Sequence, residues 1–229
     1  MSDIEQTKDG SKNARPAEPG VDLTRRRLTG AGLAGSGVLL TLASRPVLAN
    51  GVCLSPSGFQ SGNLSRPNQG YTPCGGRTPG YWGEKNSIKQ GSWAAAGCEP
   101  GKCDSKSGNC NNYTDWHDTA EHVATKFCDT FPCSGHLSIY RYVPGIFPLT
   151  NMSLMQVMHL DGSQDPYQLG AHLVAAYLNA KSGMNVMPSV AVVLAIASSL
   201  DASGMYSPAA GVQWTPQQVV TYLQTTMPL

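Results

Sequence analysis

The sequence predicts a mainly α protein: a helical cluster carrying a loop-rich, disulfide-linked N-terminal region. Three observations lead there. From residue 114 onward, apolar residues recur at helical spacing, and several of these runs open on a capping residue next to proline. All seven cysteines lie between positions 53 and 133, mostly in a Gly-, Ser-, Asn- and Pro-rich stretch that is poor in aliphatic residues. Only one long apolar run occurs near the N-terminus, and no second one follows.

These observations divide the chain into four segments. Residues 1–23 are polar and aperiodic, which predicts disorder. Residues 24–49 form a leader, 50–113 a Cys/Gly-rich irregular region, and 114–229 a helical region; 50–229 make one mature domain. Only 14% of the 229 residues are charged, below the roughly 25% of an average globular chain. The net charge is +1, and the part beyond residue 49 carries nine basic and ten acidic residues. No clustered Lys/Arg footprint is present, so nucleic acid is not an expected partner.

Thr24–Arg25–Arg26–Arg27–Leu28, followed by TGAGLAGSGVLLTLAS, resembles a twin-arginine export signal. Val47–Leu48–Ala49 resembles its small-residue cleavage site, with the cut after Ala49. The run is too short and too glycine-rich for a membrane span of roughly 20 apolar residues. The membrane is therefore expected to meet the chain only through the uncleaved signal. The resemblance implies the twin-arginine export machinery as a partner and a periplasmic or extracellular destination. Such a route carries folded proteins, so a cofactor is permitted but not required, and none is expected.

Outside the cytoplasm, Cys53, Cys74, Cys98, Cys103, Cys110, Cys128 and Cys133 default to disulfides. Glu99–Pro100–Gly101–Lys102 is a turn that can join Cys98 to Cys103, and Cys128 has the same spacing to Cys133. Connectivity does not follow from sequence, and the odd count leaves one thiol over. The alternative is zinc: two C-x4-C pairs with His117 and His122 nearby, at the edge of structural zinc spacing.

Thr78–Pro79–Gly80–Tyr81–Trp82, with Trp93 close behind, reads as the joint between the two halves. Pro79–Gly80 suits a type II turn. Tyr81, Trp82 and Trp93 are candidate stacking faces for a sugar or protein partner; their alternative role is to fill the core.

Trp116, Ala120, Val123 and Phe127 then predict a helix capped by Thr114 or Asp115. On it, His117 pairs with Glu121 and Asp118 with His122, which makes His117, Glu121 and His122 candidate acid/base groups. H-E-x-x-H, G-x-S-x-G and phosphate-loop patterns are all absent from the sequence.

Past a Val143–Pro148 link, Asn151 can cap a short helix with Leu154, Val157 and Leu160. Met152, Met155, Met158 and His159 together admit a copper(I) reading, against which stands the usual packing role of methionine. Asp165–Pro166 opens a helix striped with Leu169, Leu173, Ala176 and Tyr177, with His172 beside the stripe and Gly183 at its stop. Pro188–Ser189 opens a helix from Val190 to Leu200 that is apolar nearly all round and so expected to be buried. Thr215–Pro216 opens the last one, which buries Val219, Val220 and Leu223.

Three of these pieces align with one group of proteins. Thr78–Pro79–Gly80–Tyr81–Trp82 resembles the TPGYWKNH-type stretch of secreted and surface proteins of bacteria. Residues 167–182 are similar to that group's later helix, and Trp214–Thr215–Pro216 through Leu223 resembles its closing helix. The likeness is discontinuous over residues 74–225. Where the group has Lys-Asn-His, this chain has Gly83–Glu84–Lys85–Asn86–Ser87, without the histidine. The resemblance implies a secreted location and a shared domain, and it transfers no reaction. The expected function is an exported non-catalytic module that binds a surface protein or polysaccharide. The alternatives are an exported hydrolase using His117 and Glu121, or a metal-handling protein.

Overall fold

Proline can occupy the first turn of a helix at no cost, because the N–H it lacks would be unpaired there anyway. This chain uses that device repeatedly. The computed structural model describes residues 53–61, 73–105, 109–137, 152–185 and 187–228. The leader, with Arg25, Arg26 and Ala49, lies outside the described residues, as do the Val143–Pro148 link and Asn151.

Helix α1 (Pro56–Ser61) begins on proline. So does α2 (Pro79–Gly83), whose N-cap Thr78 accepts the Tyr81 N–H through its side chain. The expected type II turn at Pro79–Gly80 is therefore the first turn of a helix. Both structures want the same φ at proline, and the Thr78 cap selects the right-handed continuation. Two more short helices follow, α3 (Lys85–Lys89) and α4 (Ser92–Ala95).

The helix expected over Trp116 to Phe127 does not form. A capping box between Asn112 and Asp115 closes a single 3-10 turn, Tyr113–Asp115. Trp116–His117 is then a strand, β2, antiparallel to β1 (Lys102–Cys103). Helical geometry returns only in α5 (Phe127–Thr130). Tertiary contacts override the periodicity: Trp116 Nε1 donates to the Cys110 carbonyl, and Gln156 donates to the Trp116 carbonyl at 2.9 Å. Val123, expected to be buried, is 67% exposed.

Helix α6 (Leu154–Met158) is capped by Ser153 in a box with Gln156, two residues past the expected Asn151. Pro166–Gln168 is a separate 3-10 turn in which Tyr167 and Gln168 have positive φ. The buried Asp165 carboxylate reaches past it and accepts the Gly170 and Ala171 N–H groups at 3.0 Å each. Asp165 thus caps α7 (Leu169–Lys181), not a helix starting at Pro166.

Helix α7 is the centre of the fold. It is buried from Leu169 through Ala176, His172 included, and packs against α2, α6 and two later helices. The first of those, α8 (Val190–Ser203), is capped by Ser189. It buries only the face with Val193, Ile196, Ala197, Leu200 and Asp201, and Ala191 and Ala195 are exposed. The apolar pattern predicts full burial of α8, but it is α7 that is enclosed. An outward face made partly of alanine exposes little apolar area per residue.

A hairpin absent from the sequence reading follows, with β3 (Tyr206–Ala209) antiparallel to β4 (Val212–Trp214) around Gly211 at φ 74°. The second partner, α9 (Pro216–Thr225), opens on Thr215 with Gln218 completing a capping box. Helix α1 packs here. Phe59 meets Trp214 and Tyr222 edge-on at 5.7 and 5.4 Å, and the Tyr222 hydroxyl donates to the Leu54 carbonyl.

Disulfides join Cys53 to Cys74, Cys103 to Cys110 and Cys128 to Cys133. The Cys128–Cys133 pair matches expectation; Cys98–Cys103 does not form. The chain runs on through Gly101 into β1, so Cys103 pairs with Cys110, and Cys98 stays a free, buried thiol. Burial pushes the Cys98 thiol pKa up, against the pull of Lys181 and Thr125. Among the described residues, no helix is long and apolar enough to cross a membrane.

Candidate functional site

The joint between the halves is built from amides. Asn179, fully buried on α7, accepts the Arg77 N–H at 2.8 Å and the Trp82 indole N–H at 3.0 Å on one oxygen. Its nitrogen donates to the Arg77 carbonyl at 2.9 Å. The Trp82 carbonyl in turn accepts from Trp93 Nε1 and from the Ser87 hydroxyl. The two indoles meet at right angles, centroids 6.0 Å apart. This network fixes α2 on α7 and so sets where the residues after Trp82 go.

Those residues form one wall of a cleft of about 570 Å³. Gly83–Glu84–Lys85–Asn86 bends from α2 into α3, with Glu84 extended between the helices. A second wall is Asn109–Cys110–Asn111, tied to β1 by the Cys103–Cys110 disulfide. Met158, His159 and Ala171 also line the cleft, as do Pro79 and Gln168. A cavity this size falls in the roughly 300–1,000 Å³ range of small-ligand sites.

His159 ties the walls together. Its ring stacks on Trp116 at 6.0 Å and 18°. Nε2 lies 3.1 Å from the Gly83 carbonyl and donates to it, since a carbonyl can only accept. Burial lowers the His159 pKa, opposed by the backbone of Gly83 and Asn111 and by Asp115, so the ring is neutral at neutral pH. A second cavity, about 230 Å³, is lined mainly by apolar groups including Leu137, Leu169, Leu200 and Pro216.

The expected site residues are dispersed. Trp82 and Trp93 are 0% and 1% exposed and present no stacking face; they fill the core. Tyr81 is half-buried, its hydroxyl bonded to Gln90 and Ser92 and its ring beneath the Arg77 guanidinium. His117 and Glu121 are both exposed, and the helical pairing between them disappears with the helix. His122 instead pairs with Glu99 at 3.2 Å, and Asp118 with Lys126. Met152 and Met155 are core residues, whereas Met158 and His159 reach the cleft, which divides the four-residue set proposed for copper. Three disulfides take six of the seven cysteines, so the two C-x4-C pairs do not supply four zinc thiolates. Among the described residues, no group of three or more His, Cys, Asp or Glu gathers in a metal-binding arrangement.

Sequence reasoning passed over Glu84, Lys85, Asn86, Asn109, Asn111 and Gln168 as site residues. Two local signals pointed at the walls: the substitution of Gly83–Glu84–Lys85–Asn86 for Lys-Asn-His, and the asparagines flanking Cys110. Compared with known proteins, the chain matches no family model, no curated protein and no solved structure.

Proposed function

We propose that the chain is an exported, non-catalytic module of the periplasm or cell surface that binds a surface protein or polysaccharide there. The observation that carries this reading is the disulfide-backed polar cleft. Stable disulfides belong to oxidising compartments, and one of the three braces the wall of the cleft of about 570 Å³. The twin-arginine-like leader points the same way. Within the cleft, His159 faces the backbone of both walls, which is the placement of a brace. The hydrolase alternative has less behind it, because His117 and Glu121 are exposed and share no helix that would pair them.

Expression of the full chain in a bacterium with a twin-arginine route, followed by fractionation and intact mass, tests the reading. The expected product begins at Asn50, lacks six protons and sediments with cell envelopes. Paired Arg25→Lys and Arg26→Lys substitutions should hold it in the cytoplasm. Recovery of uncleaved, reduced protein from the cytoplasm of the wild-type strain would refute export, and turnover of envelope polysaccharide by the purified chain would refute the non-catalytic reading.

A further inference from the structure

We infer that the cleft between the Gly83–Asn86 bend and the Asn109–Asn111 wall binds a segment of uncharged carbohydrate. This rests on the module reading above and names the ligand class of its site. The polar groups come first. Asn86, Asn109, Asn111 and Gln168 put four amide-bearing residues on the lining, and all four are exposed. An amide donates and accepts at once, and so does a hydroxyl, so the two match pair by pair without a net charge on either side.

The charge on the lining is balanced. It holds one carboxylate, Glu84, and one ammonium, Lys85. The remaining titratable group, His159, is uncharged at neutral pH because burial disfavours its cation. A phosphate or carboxylate ligand calls for clustered Arg or Lys, and a cationic one for clustered acids; neither is here. The apolar part of the lining is nearly as extensive as the polar part: the Pro79 ring, Met158 and Ala171 can take the C–H face of a sugar ring.

A peptide fits less well. Peptides are usually read by a free strand edge, an apolar groove or an aromatic-lined channel. These walls come instead from α2, α3, α6 and a disulfide-braced loop. A cavity of about 570 Å³ has room for a short oligosaccharide and far exceeds the needs of an ion.

Titration calorimetry on the exported, disulfide-bonded protein tests the assignment. The neutral probes are cellotetraose, maltotetraose and triacetylchitotriose. The contrasting probes are trigalacturonic acid, fully deacetylated chitotriose and a Gly-Ala-Gly tripeptide. Saturable binding of at least one neutral probe is expected, nearly unchanged between about 0.05 and 0.5 M salt because no ion pair is formed. The paired substitution Asn86→Ala and Asn111→Ala should weaken it at least about tenfold, with folding checked by near-ultraviolet circular dichroism. Asn86→Asp, a single exposed change that adds a charge, should weaken it as well. Preference for a charged probe or for the tripeptide overturns the assignment, and so does binding that ignores both sets of substitutions. Protein that is exported and retained on envelopes yet bound by none of the neutral probes sinks the carbohydrate reading and leaves the module standing. Protein that fails export yet binds a neutral probe through Asn86 and Asn111 supports the cleft and removes the module's location.

Discussion

Replacing Trp82 with alanine should remove the keystone of the joint between the two halves. The side chain is fully buried, touches Tyr81 and Trp93 edge-on at 5.5 and 6.0 Å, and donates its indole N–H to Asn179. Truncating a buried tryptophan leaves a cavity and costs about 3–5 kcal/mol. In a domain of this size that lowers Tm by roughly 6–20 °C. Trp82→Phe separates packing from hydrogen bonding. Asn179 Oδ1 keeps the Arg77 N–H as a donor, so no buried acceptor is orphaned, and the loss should be only about 1–2 kcal/mol. Urea unfolding followed by circular dichroism reads both, with an unchanged m value as the control. A Trp82→Ala cost below about 1 kcal/mol would show that α2 is not held on α7 through this residue.

The packing and the charges fix other outcomes as well. A Cβ on Gly76 would lie 2.5 Å from the Thr226 carbonyl and 3.0 Å from the Asn179 and Asn185 amides, so Gly76→Ala should cost about 1–3 kcal/mol. Gly162→Ala meets nothing within 4 Å and should stay within about 0.5 kcal/mol in the same unfolding assay. Thiol counting without reductant should find one reactive group per unfolded chain, Cys98, and none in the native protein; two or more in the unfolded chain would contradict the three disulfides. His159 should titrate in an NMR pH series below the ordinary imidazole value of about 6.5. The unfolded chain then binds more protons than the folded one in that window. The His159 contribution is therefore fully present above the ordinary value and lost as pH falls through the lowered one; His159→Gln should flatten that part of the stability profile.

What the sequence disclosed was mostly local. Ser189 and Thr215–Pro216 announce α8 and α9 because a cap and its helix lie within four residues of each other. Cys128–Cys133 was legible for the same reason: a short helix and turn bring the two together. The stretch from Trp116 to Phe127 was not legible, since its conformation answers to Cys110, Gln156 and β1, none of which the local periodicity encodes. Periodicity also misjudged which helix is enclosed. Helix α8 has the more continuous apolar composition, yet the contacts from α2, α6, α8 and α9 converge on α7. The cleft was hidden for a related reason: its walls and lining come from residues near 84, 110, 159 and 168, and only the fold assembles them.

The seating of α1 on α9 has a consequence for how the protein can be made and moved. The Tyr222 hydroxyl bonds to Leu54 across 168 positions, and Trp214 bonds to Gln60 across 154. A segment near position 55 emerges from the ribosome early and has no docking surface until residues beyond 213 have been synthesised. Such long-range closure makes co-translational completion of the fold impossible and leaves this step to the finished chain. Vectorial passage through a membrane pore, N-terminus first, would deliver α1 to the far side well before its partners on β4 and α9. Transport of the completed fold would keep both ends together throughout.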